Sequence, residues 1–314
     1  MARTDNVENT PVDAESIQEQ LRKENEYIIK NKRVRRQSRR RTIVIILLVF
    51  LLIMAVLAGV TYSLMTFVED SNFRVSVSHT DTAVLSLSKD YNFTNPTSVL
   101  DVSAPKNMDN CSLCNYIDQK ILDIHNTDGS YKGEGTEDYF IATTFFLKNT
   151  GRKDVNYREI ISLDRAMKGM DKAIRVMVIK DITPPDDPTY GTITVYAAPK
   201  CDAAGNTLTD EEGNPLREEV VPPGGEMVAY IPESILDYED FKFNDEDIRE
   251  DGVWMTKTFL DDNNVINNVA EPALQPGQII KYTIVIWLEG QDEQCVDDIL
   301  GGQVKLAVEF AIDE

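Results

Sequence analysis

The chain holds only two histidines, His79 and His125, and four cysteines among its 314 residues. Neither histidine lies in an HExxH pattern, so the sequence does not encode a zincin-type site, which needs two imidazoles one helical turn apart. There is no GxSxG elbow for a serine hydrolase. There is also no Walker A loop to cradle phosphates and no GxGxxG turn for a dinucleotide. The glycine pairs Gly224–Gly225 and Gly301–Gly302 read as turn punctuation. No segment recurs at a fixed period, which argues against a repeat architecture. With no constellation to carry chemistry, the chain is expected not to be an enzyme.

Charge is absent from one stretch and of a single sign in the stretch before it. From Thr42 to Val68 there are 27 residues without a charge, densest in IVIILLVFLLIMAVLAGV. A helix rises about 1.5 Å per residue, so this run reaches roughly 40 Å, more than the ~30 Å hydrocarbon core of a bilayer. A buried core helix of that length would carry a polar face, and this run has none. Directly before it, KNKRVRRQSRRR contains no acid and eight bases: Lys30, Lys32, Arg33, Arg35, Arg36, Arg39, Arg40 and Arg41. Glu69 and Asp70 follow the run. Positive residues stay on the cytoplasmic side, so the sequence predicts a cytoplasmic arm over 1–41, one transmembrane helix over 42–68 and an extracellular domain over 69–314. The lipid bilayer is thus a partner, and the basic run is expected to meet anionic lipid headgroups at about 1 kcal/mol per residue near the surface. Val56 and Ala58 could serve a signal peptidase. A leader with about 40 residues before an apolar run this long favours a retained signal-anchor instead.

The arm holds 11 Lys+Arg against 7 Asp+Glu and the residues after the run 21 against 46, leaving +4 and −25. So acidic a domain excludes nucleic acid as a partner. Its surface reads first as a solvated one and second as a place for cations.

Within the arm, residues 1–12 are polar and patternless and predict disorder. From Asp13 to Ile29 good helix formers carry a thin stripe of Ile17, Leu21 and Ile28, which predicts a short amphipathic helix. After the apolar run, short segments with period 2 alternate with turn residues: FRVSV, TAVLSLS, DYFIATTFFLKNTG, AIRVMVIKD, GTITVYAAP, GEMVAYIP, VWMTKTFL, QIIKYTIVIWLEG and QVKLAVEFAID. DYFIATTFFLKNTG is apolar on both faces, as a central strand would be. AIRVMVIKD sends Ile174, Val176 and Val178 one way and Arg175 the other. In the last strand Val304, Leu306, Val308, Phe310 and Ile312 share a face. NYIDQKILDI and NYREIISLDRAMKGM predict helices. CDAAGNTLTDEEGNPLREE, with two Gly-Asn steps, predicts an exposed hairpin or a pair of turns, and residues 237–252 form an acidic insertion. The fold class expected is mainly β: an antiparallel, jelly-roll-like sandwich with a few short helices.

All four cysteines, Cys111, Cys114, Cys201 and Cys295, fall on the outer side of this topology, where disulfides persist. A Cys201–Cys295 staple closing a long loop would contribute roughly 4 to 5 kcal/mol, with Cys111-Ser-Leu-Cys114 a local bridge or a free pair. A four-cysteine zinc site and a redox-active CxxC are the competing readings. No organic cofactor is implied. No EF-hand loop is present, so calcium, if bound, would use acids at a sandwich rim, with Asp245, Asp247, Asp261 and Asp262 the candidates. Asn92 and Asn110 head Asn-x-Ser/Thr triplets, which carry meaning only on a eukaryotic secretory route.

The C-terminal run KYTIVIWLEGQDEQCVDDILGGQVKLAVEFAID resembles the closing strands of the TasA/camelysin-like surface proteins of Gram-positive bacteria. In those proteins a strand leads to an IWLEG-like turn, an acidic loop holding a cysteine, a GG turn and a final alternating strand. FFLKNTG followed by AIRVMVI is similar to their middle strands, so the likeness covers about half of the outer domain. It implies a jelly-roll surface protein, in some members part of extracellular matrix fibres. The long arm and retained span depart from that family, and a tether would obstruct free polymerisation. The protein is therefore expected to be a membrane-tethered surface protein with a structural or adhesive role and protein partners at the cell envelope. Its rivals are a subunit of a larger envelope or fibre assembly and an extracellular metal-dependent hydrolase.

Overall fold

The computed structural model describes residues 19, 22–30, 32, 45–56, 73–78, 84–102, 104–105, 107–113, 117–133, 138–183, 191–202, 204–222, 231, 235, 241–270 and 272–313. The chain divides into two compact units, Met1–Asp70 and Ser71–Glu314.

In the first unit residues 22–30 and 45–56 are helical. Ion pairs one turn apart, Lys23–Glu19 at 3.0 Å and Arg22–Glu26 at 3.9 Å, support the first segment, each worth a few tenths of a kcal/mol (about 0.2–0.5) on an exposed helix. The second segment, IILLVFLLIMAV, exposes every side chain. Among the described residues no helix is long and apolar enough to cross a membrane. The rest of the apolar run, 42–44 and 57–68, lies outside them.

The second unit is mainly β. Its strands are β1 (Phe73–Val77), β2 (Leu85–Ser88), β3 (Val99–Val102), β4 (Gly129–Ser130), β5 (Phe140–Asn149), β6 (Tyr157–Ala166), β7 (Ile174–Thr183), β8 (Thr192–Ala197), β9 (Lys242–Phe243), β10 (Lys257–Thr258), β11 (Asn264–Val269), β12 (Ile279–Leu288) and β13 (Val304–Ile312). Short helices α1 (Ile121–His125) and α2 (Met170–Ala173) interrupt them. One sheet runs β11-β6-β13-β1-β3, and the other β10-β8-β7-β12-β5-β2, with β4 on β5 and β9 on β8.

Alternation explains how the sheets pack. On β12, Ile280, Tyr282, Ile284 and Ile286 join Val75, Tyr157, Val308 and Phe310 of the other sheet in one core. Val285 and Trp287 point to the opposite face, where Ile121 and Ile124 of α1 and Trp254 cover them. The larger sheet is therefore covered on both faces, and the middle residues of β5, β7 and β12 are buried whichever way they point. Between the sheets the hydroxyls of Tyr157 and Tyr282 lie 3.0 Å apart. Tyr282 and Lys180 both bond Glu159, which satisfies these polar tips inside an apolar layer.

Several expectations hold. β5 is internal, Ile174, Val176 and Val178 face the inter-sheet core, and Leu306, Val308 and Phe310 are buried with Val304 and Ile312 partly so. NYIDQKILDI holds the 3-10 turn Asp118–Lys120 and all of α1 but its last residue, His125. The two Gly-Asn steps form consecutive turns, in which Asp202 Oδ1 accepts from the N–H of Asn206 and Asp210 Oδ1 from that of Asn214, each at 2.8 Å.

Others are corrected. The sheets are mixed: β1 lies parallel to β13, and β9 and β10 parallel to β8. NYREIISLDRAMKGM is mostly the strand β6, bonded to β11 and β13. Tyr157, Ile161 and Leu163 sit inward at even spacing, and two flanking partners outweigh a marginal helical pattern. VWMTKTFL supplies only the two residues of β10. GEMVAYIP lies outside the described residues except for Ile231.

Candidate functional site

The strand that sends Ile174, Val176 and Val178 between the sheets must send Arg175 the other way, beside Trp287 of β12 and Ala197 of β8. There the guanidinium is wholly buried. A buried cation requires a counter-charge, and the loop leaving β12 provides it. Asp292 Oδ2 accepts from Arg175 Nη2 at 2.8 Å, with the two side chains 0% and 2% exposed. Arg175 Nη1 reaches the Ile174 carbonyl at 3.4 Å, and Nε has no partner among the described residues.

The same loop is held at several points. Buried Glu289 accepts from Trp287 Nε1 at 3.0 Å and from the N–H of Gln291 at 3.2 Å. Its own N–H donates to the Ala173 carbonyl at 2.9 Å. Asp292 accepts from the N–H of Gln294 at 2.7 Å, and Gln294 Nε2 donates to the Asp202 carbonyl at 3.0 Å, tying on the double turn. Lys200 Nζ donates to Glu219 at 2.8 Å and stands 3.9 Å from Glu218.

Burial raises Glu218 to about 7, Asp292 and Glu219 adding to the rise and Arg175 and Lys200 opposing it. Burial likewise raises Glu289, against the bond from Trp287 and the charge of Arg175. Glu218 is therefore the carboxyl of this cluster pushed towards neutral pH.

Three cysteines surround this loop. Cys111 donates its N–H to the Leu288 carbonyl at 3.0 Å and accepts from that of Gly290 at 2.9 Å. Burial, then the charges of Glu289 and Cys295, push its thiol up to about 12. Burial, then Asp292 and Glu289, push Cys295 up to about 11. Cys201 donates to the Pro199 carbonyl at 3.3 Å, and burial raises its thiol as well. Protonated thiols of this kind are poor nucleophiles, unlike the thiolate a redox CxxC requires. The expected Cys201–Cys295 staple is not formed: Cys111, Cys201 and Cys295 are free thiols. Cys114 lies outside the described residues.

The four acids considered for calcium fall in two turns. Asp247 is buried and its carboxylate takes Arg217 and, at 2.9 Å, Asn244 Nδ2. Asp261 accepts from the N–H of Asn263 at 2.8 Å and Asn264 Nδ2 at 3.0 Å, bonds that hold its carboxyl below the usual range. Asp245 and Asp262 are exposed. Among the described residues no three His, Cys, Asp or Glu side chains gather as a metal site. His125 is buried, its Nδ1 2.8 Å from Thr283 Oγ1. Burial, assisted by Lys281, lowers it to about 3, so it is a neutral core residue. Lys30 and Lys32 are exposed helical residues, while Arg33, Arg35, Arg36, Arg39, Arg40 and Arg41 lie outside the described residues, as does His79.

The Arg175–Asp292 pair was not identified from sequence. The available signal was a lone arginine within a strand of otherwise buried residues, but its partner is 117 positions away. Compared with known proteins, the chain matches no family model and no curated sequence.

Proposed function

We propose that this protein is a membrane-tethered bacterial surface protein whose outer β-sandwich has a structural or adhesive, partner-binding role. One observation carries the reading: eight bases and then 27 uncharged residues lead, with four residues between, into the first strand of a folded acidic unit. That order is what a signal-anchor with its N-terminus in the cytoplasm requires. The apolar run 42–68 is the span in this reading, and the basic run meets the anionic inner leaflet. The outer sandwich is of the jelly-roll type implied by its resemblance to TasA/camelysin-like proteins. The two packed sheets and the position of β13 beside β1 support a sandwich, while the parallel β1–β13 pair departs from an all-antiparallel one.

A second reading, a subunit of a larger envelope or fibre assembly, is favoured by the sheet edges. β11 and β3 end the five-stranded sheet among the described residues, and each exposes a valine, Val269 and Val99. Open edges can accept a strand from a partner.

Protease added to intact cells tests the tether. The outer unit should be digested while peptides from 1–41 stay protected, and protection of the peptide holding Cys295 would overturn the orientation. Membrane extraction in mild detergent then separates the two readings, since a stoichiometric co-purifying protein supports the assembly.

A further inference from the structure

We propose that the end of the β-sandwich at which the chain enters β1 rests on the outer face of the bilayer, with Leu300, Val296 and Met167 inserted among the lipids. The inference rests on the tether reading, in which 42–68 spans the membrane. Strand register fixes which end this is. β1 runs parallel to β13, with Arg74 opposite Ala307, so both strands start at the same end of the sheet. The start of β13 pairs in turn with the end of β6, Val304 opposite Ala166. Neighbouring strands stand about 4.8 Å apart, so the loop leaving β6 and the loop entering β13 emerge within roughly 10 Å of Phe73 across the sheet. Four residues, Glu69 to Asn72, separate the apolar run from Phe73. Even fully extended, the chain from Val68 to Phe73 covers at most about 18 Å. The nine residues of β13 extend about 30 Å. On so short a link the start of β1 stays the end nearest the lipid.

The two loops at that end hold apolar side chains out in solvent. Leu300 is 68% exposed and Val296 51% on the loop into β13, and Met167 is 43% exposed on the loop out of β6. The loops are tied together: Met167 donates its N–H to the Gln303 carbonyl at 2.9 Å, and Lys168 Nζ donates to the Leu300 carbonyl. Nor does the loop into β13 lack a place in the core. Ile299 is buried, its N–H on the Val296 carbonyl at 3.0 Å and its carbonyl taking the N–H of Gly302 at 2.8 Å. The fold thus anchors Ile299 and leaves Val296 and Leu300 outside. A lone exposed apolar residue is ordinary on any surface, but three on two joined loops form a patch that marks an interaction site. Its place beside the tether names the occupant. Asp297 and Asp298 are exposed in the same turn, so attraction to anionic headgroups is not what holds the contact. It is apolar insertion to the depth of the headgroup boundary, about 5–10 Å, with the two acids left in water.

Full-length chain reconstituted into phosphatidylcholine vesicles tests this with one tryptophan at the patch, Leu300→Trp, and another at the far end, Val269→Trp. Val269 is 41% exposed and lies opposite Arg158, which pairs with Ala311 near the end of β13. Both substitutions are on exposed side chains and leave the core intact. Trp254 and Trp287 are buried, and their emission is subtracted using the wild type. In vesicles with brominated acyl chains Leu300→Trp is expected to lose most of its added emission, and Val269→Trp none. Soluble acrylamide should quench the two in the opposite order. Equal behaviour of the two tryptophans would overturn the contact and leave the patch to water or to a protein partner. A high-pH carbonate wash separates this failure from that of the tether. Chain that stays in the membrane while Leu300→Trp escapes the bromines refutes the contact alone. Chain released by the wash refutes the tether, and the contact with it.

Discussion

Asp292→Asn removes the charge that balances Arg175 while keeping an oxygen in place. The arginine is wholly buried and its partner carboxylate 2% exposed at 2.8 Å, so bulk water cannot take over the lost interaction. Removing one member of such a pair costs about 3–5 kcal/mol, because the remaining charge stays desolvated. Glu218 softens this. Asp292 is one of the groups that keep it protonated, so without Asp292 it ionises more readily and becomes a substitute counter-ion. The loss is therefore placed at the lower end, about 3 kcal/mol. For a unit of this size each kcal/mol lowers the melting temperature by about 2–4 °C, which predicts a fall of about 6–12 °C. Thermal melts and urea titrations of residues 71–314 would measure it. The double variant Arg175→Met/Asp292→Leu should recover most of the loss, since an apolar pair of similar volume needs no desolvated charge. A fall under about 2 °C for Asp292→Asn, within the range of a surface substitution, would refute the reasoning and mean that water reaches the guanidinium.

Two further predictions concern the core and the Glu218 carboxyl. Phe310 is 1% exposed and packs against Tyr282, Phe145 and Tyr157 at ring separations of 4.9, 6.0 and 6.1 Å. Phe310→Ala should destabilise the unit by about 3–5 kcal/mol, and an unchanged melting midpoint would mean that β13 is completed by another chain. Glu218 is raised to about 7 in the folded protein from 4.5, so the folded state binds the proton more tightly than the unfolded one. Its contribution to stability is full below about pH 4.5 and is lost as the pH rises through about 7. Relative to Glu218→Gln, the wild type should weaken between pH 5 and 8 by about 1–2 kcal/mol, allowing for partial solvent screening. Parallel urea-unfolding profiles for the two proteins across that range would count against a buried, proton-binding Glu218.

Period alone fixed much of the outer unit. Alternating apolar residues marked β7 and β13 with their inward faces, and a β-branched run marked β12, because the pleat sends neighbours to opposite sides whatever the strand pairs with. The same rule told that Arg175 leaves the inter-sheet core. Composition likewise marked the uncharged run and its basic flank, since those depend only on what the residues prefer as solvent. Tertiary structure decided the rest, where the answer depended on partners far along the chain. Residues 157–166 carry a pattern compatible with a helix, and pairing with β11 on one side and β13 on the other makes them a strand. The parallel register of β1 against β13 joins residues more than two hundred positions apart, as in Val75 opposite Val308, and no local signal specifies direction. Burial of the far face of the larger sheet turned Arg175 from a surface charge into half of a buried pair, and the fold of the loop after β12 chose Asp292 to complete it.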